Sequence, residues 1–554
     1  MAPDSAARPS YDQALADFDL AQWEARLQGN LQTGVNACVE CCDRHCGRNA
    51  TALRWVDAQG HLHTYTFEHL REAAARAANV LADAGIARGD VVAGLLPRTP
   101  DLLAVILGTW RLGAVYQPLF TAFGPKAIET RLATGRTALV VTDLANRSKL
   151  DGVSGCPTVA TIAGAGQRVA DGDIDWRART HQAPAERAPV MLRGDDLMAL
   201  LSTSGTTGSP KGVPVPLRAL LAFASYMEQA VDLRADDVFW NIADPGWAYG
   251  LYYGVIGPLL LGHATTFSEA GFSVAGLNQI IQHLGVTNLA GSPTAYRQII
   301  GAGPAASAGI KGQLRVVSSA GEPLNPEIAR WFREHLGTTV LDHYGQTETG
   351  MVVNNHHALA HAVRPGSSGF AMPGYRVAVL DEHDNVLPPR TPGILAVDVQ
   401  QSPILWFTGY YGAETPALRD GWYRTGDSVE WEDDGSISFI GRSDDLITSS
   451  GYRIGPFDVE SVLMEHAAVA EAAVIGVPDP ERTEIVKAFV ILRDGHSCNE
   501  GLATELQQHV RSRLSAHAYP RQVEFVAQVP KTPSGKVQRF LLRKAEIEKQ
   551  AAGS

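Results

Sequence analysis

The run Ser202-Thr-Ser-Gly-Thr-Thr-Gly-Ser-Pro-Lys-Gly212 constrains this chain more than any other stretch. It holds three glycines and six hydroxyl residues in eleven positions. It cannot pack as a helix, because glycine gives up too much backbone entropy and the hydroxyls compete for backbone hydrogen bonds. The same residues suit a loop of exposed amides and hydroxyls that wraps phosphate oxygens. Leu197 to Leu201 reads as a short buried strand, so the loop leaves a strand end, where open α/β folds bind ligands. A Walker P-loop ends in Gly-Lys-Ser/Thr, and Pro210 before Lys211 excludes it. A plain Gly/Ser linker fits the composition alone.

At 554 residues the chain exceeds one compact core, which predicts a large domain and a smaller one. A net charge of −12 argues against nucleic acid or an anionic membrane as partner. A small anionic ligand needs only a local positive pocket. Residues 1–20 lack a basic stretch followed by an apolar core, and no apolar run approaches the roughly 20 residues that span a bilayer. The expected location is cytoplasmic. Four cysteines, Cys38, Cys41, Cys42 and Cys46, crowd around His45 and invite a zinc reading. No second ligand pair follows at finger-like spacing, and Val35 to Cys46 fits a helix with reduced thiols in the core.

Phe67 to Leu81 has helical apolar spacing, Val91 to Leu96 reads as a buried strand, Leu102 to Leu112 as a helix and Ala138 to Val141 as a strand. This alternation predicts an α/β fold, its mainly parallel sheets flanked by helices. Ala163 to Arg193 looks like a surface excursion. Leu217 to Gln229 should be a helix. The segment Ala243-Asp-Pro-Gly-Trp-Ala-Tyr-Gly250 can bring bulky side chains close to a small ligand, though aromatic core is the plainer reading. The strand Val316 to Ala320 ends in Gly321-Glu322-Pro323-Leu324, and Pro326 to Leu336 is a helix. After the strand Thr339 to Asp342 stands His343-Tyr-Gly-Gln-Thr-Glu-Thr-Gly350, which supplies a stacking face, a hydroxyl and a hard oxygen ligand suited to magnesium.

Asp427, in Gly421-Trp-Tyr-Arg-Thr-Gly-Asp427, suits two ribose hydroxyls, with Arg442 near it. Beyond residue 444 the texture becomes α+β: Phe457 to Glu465 and Gly501 to Leu514 as helices, Val469 to Val477 and Lys487 to Arg493 as strands. We therefore expect a core domain over residues 1–443 and a small mobile domain over 444–554. The tight loop Pro530 to Lys536 presents a lysine near the C-terminus.

Together these residues resemble the adenylate-forming superfamily of acyl-CoA synthetases, luciferases and peptide-synthetase adenylation domains. Tyr344-Gly-Gln-Thr-Glu348 and Ser449-Ser-Gly-Tyr-Arg-Ile-Gly-Pro-Phe457 look most like the medium-chain acyl-CoA synthetases, relatives of acetyl-CoA synthetase. The resemblance implies that a carboxylate and ATP give acyl-AMP and pyrophosphate, and that coenzyme A then displaces AMP. Thr203, Ser204, Gly205, Thr206, Thr207, Gly208 and Lys211 would hold the β- and γ-phosphates. Thr347 would contact the α-phosphate and Glu348 the magnesium. Gly321, Glu322 and Pro323 with Asp342, His343, Tyr344 and Gly345 would frame the adenine. Asp427 would take the ribose hydroxyls beside Arg442. Lys536 would bridge the two anions of the first half-reaction. The small domain would then rotate about Asp444, and the loop of Ser450, Gly451 and Tyr452 would line the coenzyme A channel, with Arg453, Arg482, Arg521 and, more weakly, Arg131 on its phosphates.

Trp247, Ala248, Tyr249, Ala320 and Gly345 would shape the acyl pocket. Acetyl-CoA synthetases carry tryptophan at the position of Gly345, so glycine there implies an open end and short- to medium-chain aliphatic acids. Ala248-Tyr-Gly-Leu251 also resembles benzoate-CoA ligases, which keeps an aryl acid as the alternative. A free-standing adenylation enzyme that loads a carrier protein is a further one. The resemblance leaves room for a homo-oligomer and for a lysine acetyltransferase acting on Lys536.

Overall fold

A computed structural model describes residues 8–553 apart from 165, 204–209, 444, 450–451, 480–481, 516 and 533–535. The helix Phe67–Asp83 starts at Thr66, whose hydroxyl accepts the His69 amide while the His69 ring accepts the Thr66 amide. That reciprocal cap fixes its first turn. Leu70, Ala74, Ala77 and Leu81 form its buried face, packed on the helix Pro100–Arg111. Gly108 allows the close approach, since a Cβ there would stand 2.6 Å from the Ala77 methyl.

Seven strands form the first sheet of the large domain, in the order Ile174–Asp175, Thr158–Ile162, Leu139–Asp143, Val91–Leu95, Val115–Pro118, Leu197–Ser202 and Gly212–Pro216. All neighbours are parallel except the last pair, an antiparallel hairpin. A second, eleven-stranded sheet begins parallel with Phe239–Asn241, Asn288–Gly291, Val316–Ala320 and Val340–Gln346. It turns antiparallel at Gly350–Asn354 and continues through Ile437–Arg442 and Trp422–Trp431. The reversal matters because it brings residues 423–442 beside the end of Val340–Gln346. A small three-stranded sheet completes this domain.

The smaller C-terminal domain is α+β, built on five strands. Its helices Pro456–Met464 and Glu500–Arg513 cover a core of Val459, Leu463, Val474, Val490, Leu506 and Val510. Arg539, at the start of the helix Arg539–Gly553, makes two 2.8 Å bonds to the Glu460 carboxylate. Arg543 reaches Asp445 at 2.9 Å, and Arg539 lies 3.6 Å from the same carboxylate. The domains touch where Asn325 donates to the Ser461 carbonyl at 3.5 Å and Phe439 meets Phe457 edge-on.

Three expectations change. The excursion at 163–193 supplies the edge strand Ile174–Asp175 and the helix Trp176–Gln182, whose Trp176 is buried beneath a charged surface. The helix at 217–229 is shorter, Ala219–Ser225, and widens into a π turn over Tyr226–Ala230. The cysteine segment is only a short helix, Ala37–Cys41, followed by a tight turn, with the Cys38, Cys41 and Cys42 thiols buried.

Candidate active site

The strands on either side of the phosphate-loop segment, Leu197–Ser202 and Gly212–Pro216, pair as an antiparallel hairpin. Ser202 pairs with Gly212 and Leu201 with Val213. Above that pair the Thr203 amide donates to the Lys211 carbonyl at 2.9 Å, and the Lys211 amide approaches Thr203 Oγ1 at 3.4 Å. Both feet of the loop are thereby fixed. Ser204, Gly205, Thr206, Thr207 and Gly208 lie outside the described residues.

Lys211 leads to a residue that sequence reasoning missed. Its ammonium sits 4.6 Å from the centroid of the Tyr410 ring, a geometry attractive to a cation. The Tyr410 hydroxyl donates to Glu348 Oε1 at 2.9 Å. Glu348 is buried, which pushes its carboxyl above the usual range, and the Tyr410 hydrogen bond opposes that shift. The aromatic and glycine texture of Phe407-Thr-Gly-Tyr-Tyr-Gly412, akin to that of 243–250, was the available signal. A buried carboxylate bonded to the ring that Lys211 covers fits magnesium, which keeps waters and substrate phosphates as its other ligands.

Asp427 is the centre of a second cluster. Its carboxylate accepts from the Tyr344 hydroxyl, from Gln346 Nε2 at 2.8 Å and from Arg442 at 3.0 Å. Arg442 is placed by register, opposite Asp427 on the neighbouring strand. Tyr423 in turn holds Gln346 Oε1 at 2.8 Å. Tyr344, Asp427 and Arg442 are thus brought together as expected, with Gln346 and Tyr423 as unforeseen partners.

Gly321, at φ 95°, turns the chain out of Val316–Ala320, and Pro323 follows in the same turn. Glu322 is anchored by Thr294 Oγ1 at 2.8 Å and Arg297 at 2.9 Å. The adenine frame needs correction at His343. Alternation along the strand turns His343 inward, where Nδ1 meets the Tyr226 hydroxyl at 2.7 Å and Nε2 the Asn355 carbonyl at 3.0 Å. Asp342 is also buried, with Ser368 Oγ 3.3 Å from Oδ2 and no partner on Oδ1. Burial raises its carboxyl to about 8. The His343 ring is therefore not free to touch a base, whereas Asp342 keeps one carboxylate oxygen without a partner among the described residues.

Trp247 packs against Phe120 and Phe123 at 5.7 and 5.2 Å between centroids. Its ring and Ala248 line a recess that also meets Thr347. Tyr249 is half-buried, with its hydroxyl enclosed beside Tyr226. Ala320 is buried on its strand, paired with His343. Gly345 overturns its expectation: a Cβ there would stand 2.1 Å from the Gly350 carbonyl oxygen. Glycine is required by the neighbouring backbone at this bulge and does not open the pocket.

Lys536 is exposed; its amide donates to Thr532 Oγ1 at 3.0 Å, and its carbonyl accepts from the Thr532 amide at 2.7 Å. Asp444, Ser450 and Gly451 lie outside the described residues, and Tyr452 and Arg453 are placed only as backbone of a short strand. Arg482 is half-buried on a turn whose amide donates to Asp479 at 2.9 Å. Arg521 is exposed and stacks over Tyr519 at 4.4 Å. Arg131 is only 7 % exposed, so it is not available to a nucleotide at the surface. No helix among the described residues is long and apolar enough to cross a membrane.

The family described as AMP-binding enzyme matches residues 40–411, and its C-terminal domain matches 458–536. The chain is 36% identical over 549 residues to an acetyl-coenzyme A synthetase of Bacillus subtilis (strain 168), covering 97% of this chain and 95% of that one. A crystal structure of an acyl-CoA synthetase from Brucella canis superposes with a TM-score of 0.81 at 64% identity, over 98% of this chain and 100% of the other. A benzoate CoA ligase from Burkholderia xenovorans LB400 superposes with a TM-score of 0.81 at 27% identity, over 92% and 100% of the two chains.

Proposed function

For a chain that belongs to the AMP-binding enzyme family, an AMP-forming acid-thiol ligase with ATP and coenzyme A as substrates, we propose a short- to medium-chain aliphatic carboxylic acid as the acyl substrate. The observation that carries this is the closure of the acyl segment: Trp247 is fixed by Phe120 and Phe123, and the Tyr249 hydroxyl is enclosed. Such walls leave little depth for a long chain. Flat aromatic walls also suit an aryl acid, the second reading, which the likeness to a benzoate CoA ligase favours.

In the first half-reaction the substrate carboxylate attacks the α-phosphate and pyrophosphate leaves. No general base is needed, since the nucleophile is already ionised. Thr203 to Lys211 hold the β- and γ-phosphates, Thr347 the α-phosphate, and Asp427 with Arg442 the ribose. Glu348 would hold magnesium with the phosphate oxygens, and the ion would neutralise phosphate charge there. Lys536, carried in by the small domain, contacts both reacting anions; a donor of this kind contributes about 3–4 kcal/mol in comparable sites. In the second half-reaction the small domain, residues 444–554, turns about Asp444. The loop at Gly451 with Arg453, and Arg482 and Arg521, then serve coenzyme A.

AMP release with ATP, magnesium and coenzyme A across acetate, propionate, butyrate, isobutyrate, hexanoate, octanoate and benzoate tests the reading. A coenzyme A-dependent maximum among the aliphatic acids supports it. A maximum on benzoate replaces it with the aryl reading. Adenylation with no thioester formed points to a carrier protein.

A further inference from the structure

The tight turn after the short helix Ala37–Cys41 begins at Cys42 and ends at Cys46. The His45 amide donates to the Cys42 carbonyl at 3.0 Å and the Cys46 amide to the Asp43 carbonyl at 3.1 Å, which folds Cys46 back over Cys42. Cys46 Sγ lies 3.7 Å from the Cys42 carbonyl oxygen, and the two thiols hydrogen-bond each other. Neighbouring elements hold the turn from outside. Cys42 Sγ is 3.4 Å from the Phe67 carbonyl, His45 Nε2 is 3.2 Å from the Leu260 carbonyl, and the His45 and Phe67 rings are in contact. The fold therefore fixes the two sulfurs as neighbours.

The pair is unequal. Cys42 is fully buried, whereas Cys46 is half-buried. The hydrogen bond from Cys42, helped by the Arg71 guanidinium, draws the Cys46 thiol below its usual range, against burial and the Glu68 and Asp43 carboxylates. Burial pushes the Cys38 thiol up to about 12 and the Cys41 thiol well above its usual range. A reachable thiolate beside a resolving thiol is the arrangement that turns oxidation into a reversible disulfide.

We propose that Cys42 and Cys46 form a peroxide-oxidisable dithiol, with Cys46 as the reacting thiol and Cys42 as the resolving one. The Cys46 thiolate attacks one oxygen of hydrogen peroxide. An S–O bond forms, the O–O bond breaks, and the departing hydroxide takes a proton from solvent to become water. Cys46 is then a sulfenic acid, and the peroxide has been reduced. The Cys42 sulfur attacks the Cys46 sulfur: the S–S bond forms, the S–O bond breaks, and the Cys42 proton leaves with the hydroxyl as a second water. A dithiol reductant reverses the change. None of these residues belongs to the site described above, so the modification stands apart from the AMP-forming reading.

The test exposes the full chain, reduced and then freed of reductant, to hydrogen peroxide, after which the remaining thiols are alkylated and the protein is digested with trypsin. Arg44 stands between the two cysteines. Cleavage there leaves them on separate peptides that only a disulfide joins. The expected result is a joined pair whose fragment spectrum assigns Cys42 and Cys46, and which dithiothreitol separates. Cys46 should be consumed at least about tenfold faster than Cys38 or Cys41. In C42S, Cys46 should stop at a sulfenic acid that dimedone traps, and in C46S, Cys42 should stay reduced over the same exposure. A Cys46 that remains alkylatable overturns the proposal, as does one joined to Cys38 or Cys41 instead. Oxidation of Cys46 to sulfinic acid with Cys42 still reduced overturns it too. The joined pair is read on the unsubstituted protein, so a C42S that fails to fold leaves the outcome decided.

Discussion

Tyr410 donates its hydroxyl to Oε1 of Glu348 at 2.9 Å. Burial raises the Glu348 carboxyl, and this bond holds it down. Y410F should raise the Glu348 pKa further, because it removes a donor to the charged form. The acid limb of the kcat/KM profile should then move about one unit to higher pH, the equivalent of a lost charged hydrogen bond. Activity near neutrality should fall, with KM for magnesium-ATP up several-fold. An acid limb that stays in place would remove Glu348 as the group that sets it.

The buried carboxyl of Asp342, raised to about 8, gives a stability prediction. An unfolded aspartate titrates near 3.9. Between those values the unfolded state has lost a proton that the folded state keeps, so stability falls as pH rises from about 4 to about 8. D342N should flatten that decline by a few kcal/mol over the window. Denaturant melts of both proteins at pH 5 and pH 8 measure it; parallel declines would refute it.

G345A should damage the fold rather than narrow the acid profile. Its methyl group would meet the Gly350 carbonyl at 2.1 Å, against backbone that has no room to yield. A loss of about 2 kcal/mol or more is expected. A stable G345A that merely prefers shorter acids would restore the pocket-opening role.

Lys536 is exposed and open to modification. Neutralising it, by acetylation or as K536Q, should lower pyrophosphate–ATP exchange about 10²–10³-fold. Thioester formation from supplied acyl-AMP should stay within a few-fold of normal. Normal exchange in the acetylated protein would contradict its role.

Much of this was legible in the chain. The strand Val316–Ala320 and the helix Pro326–Leu336 carry their own punctuation, a glycine turn after one and proline at the start of the other. Asp427 and Arg442 were readable as neighbours from their motifs, though as turn residues, whereas they face each other on the paired strands Trp422–Trp431 and Ile437–Arg442. What escaped depended on contacts between distant segments. Tyr410 acquires its meaning only when Glu348 and Lys211 arrive beside it. The inward turn of His343 follows from strand alternation that its motif conceals. Gly345 misled because a missing side chain reads as space, whereas the volume is filled by Gly350.

Arg539 is bound to Glu460 and close to Asp445, and only two residues separate it from Lys536. The lysine loop is therefore braced against the residue next to the proposed pivot. Torque applied at that pivot would reach the ammonium through a stiff strut, with little slack to take up. Loosening the strut, as R539M would do, should blur where the lysine lands while leaving the pivot itself free to turn.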